Sequence, residues 1–341
     1  MMGEKLIAIL GITGIQGGSV ANRFLKHGDW RIRGITRNPS SEKARVWAGK
    51  GVEIVKADQD DVESLKAAFQ DANAIFAVTD WASNWVRVSE DARLQKEAAA
   101  AGRSIGEYAG DLELAQGINI ANAALDSHVL SVLEKFVFST LAPVKKISGG
   151  KYQHAYEFDS KAAIETYVRQ LPGLRDRLST VTMGIYQETW REIAAFRPHK
   201  QRDRTFQYVR LKCPGVYKAN PEVIASRDTG AFVEALVLRN PPGTNVLGAS
   251  EIVTKTDYAA LWGRTMGVKA LVKDIPEEEY ASYVPVEIRD TMVDLVRFFS
   301  EYGYAGGNPK VKTPADLEIQ TTSLEDFFRG EDWSGVLNGE I

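Results

Sequence analysis

A glycine-rich loop between a short apolar run and an amphipathic segment constrains the fold of this chain most strongly. Lys5–Leu10 (KLIAIL) has the composition of a buried parallel strand. Gly11-Ile-Thr-Gly-Ile-Gln-Gly17 follows it directly and leads into a predicted helix over residues 19–27, with Gly28 as its terminating residue. In such a unit the first glycine permits the turn, the second admits a pyrophosphate and the third lets the helix pack on the strand. The helix N-terminus then attracts phosphates, so the loop predicts dinucleotide binding.

The rest of the first half continues the alternation of strands and helices. Further apolar runs at residues 31–36, 52–56, 74–78, 135–139 and 178–185 predict strands, with helices such as Val62–Phe69 between them. Between the fourth and fifth strands, two helical stretches at residues 86–101 and 112–124 exceed what one crossover needs, which indicates an insertion over the rim of the sheet. The pattern predicts an α/β fold, a doubly wound parallel sheet.

The second half is less regular. Residues 205–212 alternate like an exposed strand, and residues 228–238, 257–266 and 285–302 have helical spacing. For the helix at 257–266, Thr256 or Asp257 is the expected N-cap and Gly267 the expected end. No internal repeat or low-complexity linker marks a domain boundary.

Charge and cysteine content exclude several classes of protein. With 42 Lys and Arg against 45 Asp and Glu, the net charge of −3 disfavours direct binding to a nucleic acid backbone. Cys213 is the single cysteine, so no intrachain disulfide forms. The four histidines lack zinc-ligand spacing, and we predict no metal. Neither a signal peptide nor a membrane span is expected, so the cytoplasm is the expected setting.

Residues after the second and third strands indicate which dinucleotide binds. Arg37 and Lys43 stand where NAD-binding chains usually carry an acidic residue, and they would attract a 2′-phosphate. The sequence therefore favours NADP(H) over NAD(H), unless both side chains are merely solvated. Asp58, next to Gln59, could accept a hydrogen bond from the adenine amino group or could instead cap the next helix. Thr79 follows the fourth strand, at the sheet edge where ligands bind.

A catalytic tyrosine–lysine pair is not evident. Tyr208 and Lys212 have the Tyr-x-x-x-Lys spacing, but they lie on a predicted strand, so we interpret the match as coincidence. Lys161 opens an amphipathic helix after the fifth strand, and Tyr156 lies about 140° away from it around an ideal helix. Lys161 could hold the nicotinamide ribose, with or without catalysis, or be a surface lysine. His154 could donate a proton, although a structural role fits it better.

Several motifs together resemble the NmrA-like family, an atypical branch of the short-chain dehydrogenases. They are the loop 11–17, Thr36-Arg-Asn-Pro-Ser-Ser41, Asp58-Gln-Asp-Asp61, Phe138-Ser-Thr140, Phe158-Asp-Ser-Lys161 and Glu165-Thr-Tyr-Val-Arg169. The resemblance implies a Rossmann domain, a smaller α+β C-terminal subdomain and bound NADP(H). The cofactor-binding residues that we predict are Gly11, Thr13, Gly14, Ile15, Gln16, Gly17, Arg37, Lys43, Asp58, Gln59, Thr79, Lys161, Gly184, Ile185 and Tyr186.

The predicted division places the Rossmann domain at residues 1–185, with later contributions near 224–248. Residues 186–223 and 249–341 would form the smaller subdomain, which would contact a substrate or a partner.

Two functions remain open at this point. The first is an NADPH-dependent reductase of a small organic substrate, with Lys161 as the catalytic residue and Trp81, Trp85, Tyr186 and Trp190 as candidate pocket walls. In that case the insertion at residues 81–106 could act as a lid. The second is a non-catalytic NADP(H) redox sensor or transcriptional co-regulator that acts through a protein partner. The oligomeric state is unknown on this basis.

Overall fold

The computed structural model describes residues 4–215 and 217–341. Its strands, in chain order, are β1 Lys5–Leu10, β2 Trp30–Thr36, β3 Glu53–Lys56, β4 Ala74–Ala77, β5 Lys135–Thr140, β6 Leu178–Met183, β7 Ile185–Tyr186, β8 His199–Lys200, β9 Phe206–Leu211, β10 Asn220–Val223, β11 Asn245–Gly248, β12 Glu251–Val253, β13 Ala270–Ile275 and β14 Val311–Lys312.

In the first half of the chain the α-helices alternate with these strands, and in the second half most of them lie toward the C-terminal end. In chain order they are α1 Ile15–Phe24, α2 Glu42–Gly49, α3 Val62–Phe69, α4 Trp81–Glu90, α5 Ala92–Ala100, α6 Ile105–Ala124, α7 Ser127–Val132, α8 Val144–Ile147, α9 Tyr156–Gln170, α10 Ala225–Glu234, α11 Lys255–Met266, α12 Glu277–Tyr280, α13 Arg289–Tyr302, α14 Leu324–Gly330 and α15 Ser334–Asn338.

An eight-stranded parallel sheet with the order β14-β11-β6-β5-β4-β1-β2-β3 forms the centre of the fold. The chain reverses its direction of winding between β1 and β4, which creates the crevice where doubly wound sheets bind ligands. The predicted Rossmann sheet is thus confirmed. Two three-stranded sheets, β12-β10-β7 and β13-β9-β8, complete the predicted smaller C-terminal region.

Alternate residues of β1 bury against opposite layers of helices. Ile7 and Ile9 belong to a core with α1 and α10, whereas Leu6 and Ala8 pack with α3, α6 and α9. Such burial on both faces explains why the strand is a continuous apolar run. Gly230 of α10 donates its backbone N–H to Ser19 Oγ at 3.0 Å, which locks α10 onto α1.

Four element predictions from the first half need correction. Lys161 does not open its helix, because α9 begins at Tyr156 and Lys161 is its sixth residue. Helix α1 begins at Ile15 and ends at Phe24, earlier than predicted, and Gly28 lies beyond its end. The stretch 86–101 is divided between α4 and α5 because Asp91 accepts the N–H groups of Arg93 and Leu94 and so caps a new helix. Helix α6 starts at Ile105, after a Ser104 capping box, seven residues earlier than the predicted start at residue 112.

Two predictions in the second half also need correction, while a third holds. Strand β9 is not exposed: β8 and β13 cover both of its edges, and Tyr208 at its centre is fully buried. Thr254, not Thr256 or Asp257, caps α11, because its Oγ1 accepts the backbone N–H of Asp257. Gly267 ends α11 in the left-handed conformation, as predicted.

Candidate functional site

A cavity of about 1070 Å³ lies over the carboxyl ends of the central strands. Its walls include the loops after β1 to β4, the start of α9 and the chain after β6, and it extends to β10, α11 and α13 of the C-terminal region. This volume exceeds the roughly 300–1,000 Å³ of an ordinary small-molecule site. The parallel sheet produces the cavity, since all its strands end at the same edge.

Every residue predicted to bind the cofactor lines this cavity, although the residues come from six separate segments. They are Gly11, Thr13, Gly14, Ile15, Gln16, Gly17, Arg37, Lys43, Asp58, Gln59, Thr79, Lys161, Gly184, Ile185 and Tyr186. Their individual roles toward a cofactor stay predictions.

The glycine loop has the geometry that its sequence requires. Gly11 has a φ of +67°, which is costly for residues with a Cβ. A Cβ on Gly17 would lie 2.3 Å from the carbonyl oxygen of Gly11, so only glycine lets α1 pack so closely. Gly14 stands at the N-cap of α1 and supplies no side-chain cap. The first N–H groups of the helix therefore face the cavity without a side-chain acceptor, an arrangement that suits a phosphate.

Two buried polar atoms on the cavity wall lack a hydrogen-bond partner among the described residues. They are the Oγ1 of Thr79 and the Oε1 of Gln16. Buried polar atoms without partners are rare and call for an explanation, and a bound polar ligand would provide one. Gln16 also donates from Nε2 to the Tyr186 hydroxyl at 2.5 Å, so the loop touches the chain after β6 directly.

Basic residues after β2 and acidic residues after β3 lie next to each other at the sheet edge. The basic side chains form no salt bridges among the described residues, whereas the acidic side chains accept backbone hydrogen bonds. Arg37 and Lys43 are exposed at the cavity and form no salt bridge with the described residues. Asp58 accepts the backbone N–H of Asp60 at 3.0 Å, whereas Asp61 caps α3, so the helix-cap alternative for Asp58 is not what the structure shows. Gln59 donates to the carbonyl oxygen of Val78 at 3.0 Å.

Lys161 is not a surface lysine. Its side chain is 11% exposed and forms a salt bridge with Glu113, whose side chain is completely buried. The Ser160 hydroxyl donates to the other oxygen of the same carboxylate. Glu113 thus fixes the position of the ammonium group at the cavity wall.

Close approach of α6 and α9 makes this ion pair possible. A Cβ on Gly117 would lie 2.4 Å from Ile164, and one on Gly106 would lie 2.7 Å from the Tyr156 ring. Sequence reasoning missed Glu113. The sequence does show one acidic residue on the face of α6 that is otherwise made of small residues. Nothing in the local sequence, however, specifies which residue pairs with it.

Glu157 is a second group that the sequence did not reveal. It lies one turn before Lys161 on α9, with both residues on the cavity wall. Burial, opposed by the charge of Lys161, raises the pKa of the Glu157 carboxyl. A carboxyl with a raised pKa holds its proton at higher pH and can serve as an acid.

The other candidate groups lie apart from this arrangement. His154 places Nδ1 2.8 Å from the Asp294 carboxylate of α13 and lies outside the cavity wall that the described residues form. Tyr208 is fully buried in β9, whereas Lys212 follows that strand and is exposed. Of the four aromatic residues proposed as pocket walls, Trp81, Tyr186 and Trp190 line the cavity and Trp85 does not.

Residues 4–215 and 217–341 contain no cluster of three or more His, Cys, Asp or Glu side chains that could hold a metal ion. Within the same residues, no helix has both the length and the apolar character needed to cross a membrane.

Comparison with known proteins matches this chain to one family over nearly its whole length. The NmrA-like family model matches residues 3–328. An NmrA-like family domain-containing protein of Dictyostelium discoideum is 26% identical over 96% of this chain and 97% of its own length. The NmrA-like family domain-containing oxidoreductase hkm9 of Aspergillus hancockii is 29% identical over 91% of this chain and 88% of its own.

Among solved structures, NmrA, a negative transcriptional regulator in complex with NADP, superposes with a TM-score of 0.71. The match covers 97% of this chain and 99% of NmrA at 18% identity, so it concerns the fold.

Proposed function

Because the chain belongs to the NmrA-like family, we propose that it binds NADP(H) in the cavity and reduces a small organic substrate with NADPH. The observation that carries this proposal is the extent of the cavity. It continues past Lys161 and Tyr186 to the walls formed by Lys255, Tyr258 and Phe299. A cofactor that occupies the sheet end would therefore leave room for a substrate beside it. The relative described as an oxidoreductase supports the same reaction class.

The residues around the sheet edge suit NADP(H). The uncapped N-terminus of α1 would hold the pyrophosphate, and the unpaired Thr79 Oγ1 would gain a hydrogen-bond partner. Arg37 and Lys43, both without salt-bridge partners in the described chain, would face the 2′-phosphate. The structurally similar NmrA has been solved in complex with NAD and with NADP, which supports a nicotinamide dinucleotide in the cavity.

When bound, NADPH supplies a hydride. The Lys161 ammonium, held by Glu113, would orient the nicotinamide ribose through a fixed donor. Glu157, whose carboxyl pKa is raised by burial, would hold a proton within the same wall, so either group could protonate the reduced substrate. Apolar side chains of α13, such as Leu295 and Phe299, would exclude water.

Turnover is tested by following the absorbance of NADPH with a panel of ketones, enones, quinones and imines. We expect oxidation with at least one substrate, and Lys161→Met to lower kcat by roughly 100-fold or more. Tight NADPH binding without turnover across the panel would contradict the reductase.

Cofactor preference is tested separately by calorimetry with NADPH and NADH. Arg37→Asp should weaken NADPH binding about tenfold or more while leaving NADH binding intact, because only NADPH carries the 2′-phosphate. Arg45→Asp is the matched control, since Arg45 is exposed on the neighbouring α2 but does not line the cavity. Equal NADPH affinity in the wild type and Arg37→Asp would refute the assignment.

The second candidate is a non-catalytic sensor that binds a protein partner. The contact between Gln16 and Tyr186 favours it, because this hydrogen bond joins the glycine loop to the C-terminal region and a bound cofactor would compete for it. Hydrogen exchange that changes in the C-terminal region on NADPH binding, without turnover, would support the sensor.

The division at residue 185 stays a proposal. Strand β11 belongs to the large sheet and α10 packs on α1, both near residues 224–248. Strand β14 at Val311–Lys312 also belongs to the large sheet, although residues 249–341 are predicted to form part of the smaller subdomain.

A further inference from the structure

We propose that Lys255 anchors an anionic oxygen of the substrate, so that the substrate is an acidic organic molecule with an apolar body. The inference deepens the proposed reductase function, on which it rests, by naming the class of its substrate.

Lys255 is the first residue of α11 and lies half-buried on the cavity wall. Its Nζ lies 4.8 Å from the ring centre of Tyr208, 5.0 Å from that of Tyr258 and 6.0 Å from that of Phe196. Three aromatic rings thus surround the ammonium group and fix its place. Unlike Lys161, Lys255 has no salt-bridge partner among residues 4–215 and 217–341.

This lysine lies close to the expected reaction centre. Glu222 on β10, whose charge acts on Lys255, pairs in parallel register with Ile185 on β7. Ile185 is one of the residues predicted to lie near the nicotinamide, and neighbouring strands are about 4.8 Å apart. Lys255 therefore belongs to the substrate end of the cavity rather than to the phosphate end.

A chain of hydrogen bonds engages the Glu222 carboxyl. Gln187 Nε2 donates to Glu222 Oε2 at 2.6 Å, and the Tyr258 hydroxyl donates to Gln187 Oε1 at 2.7 Å. Burial raises the pKa of Glu222 to about 7, although the charge of Lys255 and the bond from Gln187 oppose this. The carboxyl therefore compensates Lys255 only in part at neutral pH.

Among the described residues, no acidic side chain lies within salt-bridge distance of the Lys255 ammonium, although the charge of Glu222 acts on it. Burial lowers the pKa of the Lys255 ammonium, whereas the charge of Glu222 raises it. The nearby Arg210 guanidinium, which is paired with Asp274 at 2.6 Å, lowers the pKa of Lys255 further. An incoming anion would supply the missing countercharge and form charge-assisted hydrogen bonds in a desolvated setting.

The remaining walls of the cavity indicate the chemical character of the rest of the substrate. Phe196, Tyr280 and Met292 pack together on the cavity wall, and Leu295 and Phe299 of α13 also line the cavity. An aromatic or branched apolar skeleton that carries a carboxylate, sulfonate or phenolate matches these walls.

The test uses two fluorescent probes that differ by one anionic group: 8-anilinonaphthalene-1-sulfonate and N-phenyl-1-naphthylamine. Each is titrated into the full-length protein saturated with NADP⁺, so that the cofactor region is occupied. We expect Lys255→Met to weaken binding of the sulfonate probe about tenfold, the size of one charge-assisted hydrogen bond. Binding of the uncharged probe should change less than about twofold, and Lys255→Arg should retain most of the sulfonate affinity.

Lys273→Met is the matched control, because Lys273 lies in the same C-terminal region, is paired with Glu279 and does not line the cavity. An equal loss for both probes in Lys255→Met, or no loss for the sulfonate, would overturn the anchor. Calorimetry with NADP⁺ separates the two proposals: a wild type that does not bind NADP⁺ refutes the cofactor assignment. The comparison of the two probes in the nucleotide-free protein still decides on Lys255.

Discussion

Replacing Glu113 by glutamine tests whether the ion pair with Lys161 holds the site together. The two carboxylate oxygens of Glu113 accept from the Lys161 ammonium and the Ser160 hydroxyl, inside a region where the Glu113 side chain is completely buried. Glutamine keeps one acceptor oxygen, but its NH₂ group would face one of the two donors, the Lys161 ammonium or the Ser160 hydroxyl. Removing one partner of a buried pair costs about 3–5 kcal/mol, because it leaves an uncompensated charge.

This cost corresponds to a measurable fall in melting temperature. An unfolding entropy of about 2.1 cal/mol/K per residue over 341 residues gives about 0.7 kcal/mol/K, so Tm should fall by roughly 4–7 °C. Urea denaturation and calorimetry measure both quantities. Glu134→Gln is the matched control: Glu134 pairs with Lys5 at 2.6 Å, with both side chains more than 40% exposed. Its loss should cost less than about 1 kcal/mol.

A double variant completes the test. Glu113→Gln combined with Lys161→Met removes both charges, so we expect it to recover at least about half of the stability lost in Glu113→Gln. A cost below about 1 kcal/mol for Glu113→Gln, or additive losses in the double variant, would refute the reasoning.

Three further predictions concern the loop, the acidic group of the substrate end and the histidine. Gly17→Ala should destabilise the protein by about 3 kcal/mol and abolish NADP⁺ binding, since its Cβ would lie 2.3 Å from the Gly11 oxygen. Gly28→Ala, with no atom within 4 Å of its Cβ, should change neither quantity. The pKa of Glu222 is about 7 in the folded protein, whereas the ordinary value is 4.5. As pH rises from 4.5 to 7, the free energy of unfolding of the wild type should therefore fall by about 3 kcal/mol relative to that of Glu222→Gln. Parallel stability–pH profiles for the two proteins would contradict this. His154→Gln should keep turnover within about threefold, because its ring is bonded to Asp294 away from the cavity; a loss of roughly 100-fold would make it the proton donor.

Elements with local signals can be predicted from the amino-acid order alone. Strand β1 and helix α3 have the predicted bounds, and the glycine loop has the predicted turn and close packing. A buried parallel strand, a capping aspartate and a positive φ each depend on neighbouring residues, so their patterns can be recognised without knowing the tertiary fold. The meeting of all the predicted cofactor residues at one cavity also follows from the sequence, because parallel strands end at one edge.

The electrostatics of the site could not be predicted from the sequence. Glu113 and Lys161 are 48 residues apart, and Lys255 reaches the cavity from a region with no motif. Whether such side chains meet depends on how closely two helices approach and on how β10 pairs with β7, and these are properties of packing over long sequence separation. Burial and ion pairing depend on three-dimensional proximity. The motifs therefore located the cavity, while the fold determined which charges within it are paired and which remain available to a ligand.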